Sequence, residues 1–171
     1  MFGYGGITQK IRVVGMTSPA SAKRPNLSLR RKSASRLAAV QCLYRRAVLK
    51  DNATPEALIK EYLAHGNDRE LVLPAVPHEG LLKEIVHGAC EHAAEIEKII
   101  AGSLLPTWKM ERISPLLMAL LQAAIYELRF HPNSKPGIVI DEYATLAAGF
   151  FNEAEVGFVH ATLHALAKNA K

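Results

Sequence analysis

Apolar side chains recur at steps of three and four residues along several stretches of this chain, which is the repeat of a helix and not of a strand. The longest such run extends from about His78 to Ala101, where Leu81, Leu82, Ile85, Val86, Ala89, Ala93, Ile96 and Ile100 define an inward stripe. Glu91, Glu95, Glu97 and Lys98 fall on its solvated side. A helix with one apolar stripe must bury it against another element, so a succession of them predicts an all-α bundle.

Helix start and stop signals divide the chain. A first helix is expected from Ser35, with Leu37, Val40, Leu43, Tyr44, Ala47 and Val48 inward and Arg36, Arg46 and Lys50 along the border. Thr54 and Pro55 are placed as N-cap and first residue of a second helix reaching about His65, with Leu58, Ile59, Tyr62 and Leu63 inward. Residues 66–77 form a loop, and the 78–101 helix is the third. Ser114 caps a fourth helix through Phe130, with Pro115 in its first turn and Trp108 packed as a lid before it. A fifth runs from about Gly137 to Phe150 and a sixth from Glu153 to Lys168, whose stripe is Val156, Val159, Leu163, Leu166 and Ala167. Phe158 lies off that stripe and is expected to be exposed. Glu127 projects onto the buried side of the fourth helix, where a carboxylate needs hydrogen-bond donors; the start of the next helix, Gly137 to Val139, is the expected source.

Charge is distributed unevenly. The first 50 residues hold 11 of the 21 Lys and Arg and none of the 16 acids, leaving that segment at +11 and the remainder at −6. Residues 1–29, rich in Gly, Pro, Ser and Lys, read as a disordered basic tail, with Met1 and Met16 both candidate starts. Residues 30–171 are then one domain, since 171 residues at 49% hydrophobic suffice for a single core. A basic arm on a mildly acidic globule fits nucleic acid at one end and a basic protein at the other.

No apolar run approaches the ~20 residues of a membrane span. With no signal-like segment at the start, the expected location is cytoplasmic. Cys42 and Cys90 sit in apolar helical patterns and read as core thiols. No phosphate-cradling loop follows the early Gly-Tyr-Gly-Gly run, and no nucleophile elbow is present. His160 and His164 stand four apart, yet no third metal ligand is suitably spaced. Neither an enzyme nor a cofactor or metal site is expected.

Several stretches together resemble the NusB family of transcription antitermination factors. RKSASRLAAVQCLYRR is similar to the family's opening helix, TWKMERISPLLMALLQAAIYEL to its central block, and PGIVIDEYATLAAGFF with GFVHATLHALA to its last two helices. The resemblance spans most of residues 30–168. It implies a compact bundle of about six to seven helices in two packed halves, with a non-catalytic role. It further implies binding of boxA-type single-stranded RNA from ribosomal RNA leaders together with ribosomal protein NusE, within the RNA polymerase antitermination complex. In that role Arg30, Arg31, Lys32 and Arg36 would hold phosphates, and Tyr44 and Phe158 would meet unstacked bases. Glu111 matches an acidic position at the family's protein-partner surface. Met118, Gln122, His160, Ala161 and His164 depart from the family pattern; Met118, read as facing away from the core, would enlarge an apolar patch suited to a homodimer.

Two other readings remain at this level. The same helical fold precedes the catalytic domain in a family of ribosomal RNA cytosine methyltransferases, so a stand-alone copy would be an RNA-targeting module. A helical homodimer whose tail binds any polyanion alike is the purely structural one.

Overall fold

The computed structural model describes residues 26–65, 75–104 and 106–169. Among them are seven α-helices and one 3-10 turn, and no strand. The order is α1 (Leu27–Leu49), α2 (Pro55–His65), α3 (Glu79–Glu91), α4 (Ala93–Ser103), the turn Met110–Arg112, α5 (Pro115–Arg129), α6 (Pro136–Phe150) and α7 (Glu153–Lys168). The all-α expectation holds. Of the expected tail, residues 1–25 lie outside the described residues, as does 66–74 of the expected loop.

The helix boundaries follow local chemistry. The Ser114 hydroxyl accepts from Leu117 N–H at 3.2 Å with Pro115 next in line. Thr54 accepts from Ala57 N–H at 3.3 Å ahead of Pro55. Asn152 and Glu155 form a reciprocal capping box at the start of α7. At its start α1 exceeds the expectation: it begins at Leu27 and not at Ser35, with Asn26 as the cap accepting from Ser28 N–H. Leu27 to Leu29, assigned above to the tail, are its first turn.

The bundle is built around α5. Leu117, Ala119, Leu120, Leu121, Ala123, Ala124, Ile125, Glu127 and Leu128 are all buried, which takes in every side of the helix except the one that carries Met118, Gln122, Tyr126 and Arg129. A helix apolar on so many sides belongs at the centre, and α1, α3, α4, α6 and α7 all pack on α5 while α2 closes the α1–α3 side. The face that α1 turns inward differs from the expected one. Ala34, Ser35, Ala38, Ala39 and Cys42 are buried with Val40 and Leu43, whereas Tyr44 and Val48 are exposed. Small side chains let the axes of α1 and α5 approach closely, and that gain outweighs burying the larger residues on the next arc. Leu63, expected inward, is likewise exposed.

The single helix expected over 78–101 is two. His92 ends α3, its N–H reaching Gly88 O at 2.9 Å, and its carbonyl begins α4 by accepting from Ile96 N–H at 2.9 Å. Its ring stacks on Phe130 with centroids 4.1 Å apart and planes 12° from parallel. This contact with the far end of α5 redirects the chain at a residue whose sequence neighbours are all helix-compatible. One turn earlier, Gly88 lets the Tyr126 ring lie directly on the α3 backbone, where a Cβ would collide with it. Gly88→Ala is therefore expected to destabilise the fold by about 1–3 kcal/mol, read as a lower urea midpoint with unchanged slope; an unaltered midpoint would show that the ring has room to move.

Candidate nucleic-acid interface

Helix α1 carries six cations, Arg30, Arg31, Lys32, Arg36, Arg45 and Arg46, and no acid. Arg30 and Lys32 are exposed on its first two turns. Arg31 is half-buried because its guanidinium donates to the carbonyls of Val76 at 3.2 Å and Pro77 at 3.5 Å. Beneath it, the Ser35 hydroxyl accepts from His78 N–H at 2.7 Å and has the carbonyls of Arg31 and His78 at 2.9 Å. Arg31 and Ser35 thus clip the segment leading into α3 onto α1, and Arg31 is tied to structure as well as near solvent.

Arg36 does not hold a phosphate. It is only 6% exposed, with Nε 2.9 Å and Nη2 2.5 Å from the two Glu127 carboxylate oxygens and Nη1 3.3 Å from Glu142. The Tyr143 hydroxyl donates to Glu127 at 3.1 Å, and Ser33 donates to Glu142 at 2.6 Å. The donors that satisfy Glu127 are accordingly a guanidinium and a phenol, not the amides of Gly137 to Val139. A guanidinium matches a carboxylate with two parallel bonds, which a helix terminus on the neighbouring layer cannot do here. Burial alone would lower the Arg36 pKa, but the hydrogen bond and charge of Glu127 outweigh it and the net shift is upward. Burial, reinforced by the Glu127 charge, pushes Tyr143 well above its ordinary value.

The two aromatic residues part company. Tyr44 is 40% exposed, as an aromatic platform requires, but Phe158 is 8% exposed and stacks on Trp108 at 4.7 Å. Phe158 is therefore not an open surface for a base. Helix α7 buries a second side, on which Phe158 and Thr162 stand one turn apart, Phe158 beneath Trp108. Glu111 is exposed in the 3-10 turn. Met118 is half-buried against the core, where it was expected to face away from it, and Gln122 is half-buried. His160 and His164 are exposed, with ring centroids 4.4 Å apart. Among the described residues no three metal-ligating side chains converge, and no helix is long and apolar enough to cross a membrane. Cys42 is a buried thiol and Cys90 a half-buried one.

A groove of about 450 Å³ opens where the start of α1 meets the start of α3 and the α5–α6 connection. Lys32 and Lys135 line it, along with Glu84, Glu142 and His131. Nothing in the sequence marked Lys135: it directly precedes Pro136, and its neighbour across the groove lies about a hundred positions away.

The NusB family model matches residues 33–168. The transcription antitermination protein NusB of Sphingopyxis alaskensis is 36% identical over 146 residues, covering 82% of this chain and 94% of that protein. Its counterpart in Caulobacter vibrioides is 32% identical over 142 residues with the same coverage, 82% and 94%. Among solved structures, a crystal structure of antitermination factors NusB and NusE in complex with dsRNA matches with a TM-score of 0.66 at 25% identity, covering 82% of this chain and 98% of that one. The fold of T. maritima NusB matches at 0.64, over 80% and 90%.

Two outcomes test the buried network. Arg36→Ala and Glu127→Ala should each lose about 3–5 kcal/mol, because each strands a buried charge, and the double variant should lose much less than their sum; additive losses in denaturant titrations would contradict the pairing. Tyr143 titrates above 10.0 when folded and near it when unfolded, so the stability present below that pH falls as pH rises past it. Tyr143→Phe should remove a decline of up to about 1.4 kcal/mol per pH unit; parallel curves for the two proteins would refute it.

Proposed function

The chain belongs to the NusB family, and from that premise we propose that it binds boxA-type single-stranded RNA of ribosomal RNA leaders together with ribosomal protein NusE. In this reading it acts without catalysis, in the cytoplasm, to help RNA polymerase pass terminators. The observation that carries the proposal is the cationic start of α1: Arg30 and Lys32 are exposed, Arg31 is half-exposed, and the helix has no acid to compete with a phosphate. Phosphate contacts there would set the register of the strand, and Tyr44, exposed further along the same helix, offers a ring on which a base can stack. On the other side, Glu111 in its solvent-facing turn suits a basic ribosomal protein. A related NusB with NusE and RNA in one crystal supports the pairing.

The roles of the four predicted cations separate accordingly. Arg30 and Lys32 are the phosphate contacts, Arg31 contributes while holding the 75–78 segment, and Arg36 is withdrawn from the list.

The test is binding of full-length protein to a boxA-like oligoribonucleotide across a salt series, with and without NusE. Lys32→Glu is expected to weaken binding and to lower the salt slope by about 0.7 for the lost contact, with the melting temperature unchanged. Arg36→Glu should instead lower the melting temperature. Affinity indifferent both to RNA sequence and to NusE would refute the proposal.

A further inference from the structure

We propose that the groove beside the start of α1 holds one nucleotide of the bound RNA, its phosphate on Lys32 and Lys135 and its base against Leu29, Leu81 and Ile138. The inference rests on the RNA-binding reading above and adds a site to it, one in which the α5–α6 connection takes part.

Volume is the first argument. At about 450 Å³ the groove lies in the ~300–1,000 Å³ range of small-ligand sites.

Charge is the second. Three cations and three carboxylates line the groove, but most of them are committed to one another. Arg36 is held by Glu127 and Glu142, and His131 lies 2.8 Å from Glu84. Lys32 and Lys135 remain; among the described residues neither is in an ion pair. Two free ammonium groups from elements far apart in sequence are thus brought to one concave surface, which is the arrangement a phosphate needs. Glu84 and Glu142 keep partly open carboxylates, with side chains 57% and 31% exposed. These would repel a second phosphate yet accept hydrogen bonds from the amino or imino groups of a base. The groove is therefore suited to a single nucleotide and not to a continuous run of backbone.

Third, the groove leaves apolar surface open. Leu29 and Ile138 are 52% and 45% exposed on its walls, and a base laid against them would cover that apolar area.

The test uses the full-length protein, observed by NMR with labelled amides and methyl groups, titrated with each of the four nucleoside 5′-monophosphates and separately with inorganic phosphate. The monophosphates should shift Leu81, Ile138 and His131 at millimolar concentration. Lys135→Ala should weaken that binding several-fold and lower the salt slope of RNA binding by about 0.7, while Lys135→Arg restores both. If the monophosphates leave these signals in place, or Lys135→Ala leaves RNA affinity and slope unaltered, the inference is overturned although RNA binding stands. If inorganic phosphate reproduces the whole pattern, the base contact is overturned. If the wild-type protein binds no RNA, the functional reading fails, and the monophosphate titration still decides the groove.

Discussion

The contact between Arg36 and Glu127 decides how the helices of this protein lie. Both groups are almost fully buried, and neither has another partner able to neutralise it so completely. Bringing the two charges out of water is expensive, and their attraction offsets that expense only with good geometry and with the remaining polar atoms satisfied: Tyr143 donates to the Glu127 carboxylate, and Glu142 accepts from the Arg36 guanidinium. A pair of this kind contributes little net stability over an apolar substitute, but it penalises every arrangement in which the partners fail to meet. Here one such arrangement joins α1, α5 and α6 at a single point, and so sets the rotation of α1 about its axis.

That rotation has a direct effect on the outer surface. With Arg36 turned inward and the small side chains of α1 against α5, the cations left facing solvent are those of the first two turns, Arg30 and Lys32. The fully exposed cations of the helix therefore lie on its first two turns, while Arg45 and Arg46 near its other end are half-buried. The start of the helix meets the α5–α6 connection, where Lys135 joins Lys32 in one groove. Charge withdrawn into the core at Arg36 and charge displayed at Lys32 are two results of a single packing choice.

Aromatic packing follows a comparable division. Phe158 and Trp108 satisfy each other, and so do His92 and Phe130 at the break between α3 and α4. In both cases a ring that could have served a ligand instead fastens a connection to the bundle. Tyr44, with 40% of its surface open, stays available.

Local sequence sufficed for the helical class, for most helix ends and for the central run of α5, because caps, prolines and a 3.6-residue period act within a turn or two. The positive character of α1 was equally plain, since no acid interrupts it. Which of its cations reach solvent was not legible: Arg36 and Glu127 are 91 positions apart, and no local pattern distinguishes a guanidinium bound for a buried carboxylate from one bound for a phosphate. The same holds for Phe158, whose stripe looked exposed until Trp108 came to lie over it, and for His92, where a stacking partner outside the helix interrupts an unbroken period. Periodicity locates the apolar side of a helix facing its principal neighbour. Tertiary packing alone determines whether a second neighbour covers another side, because that depends on chain segments far away in sequence.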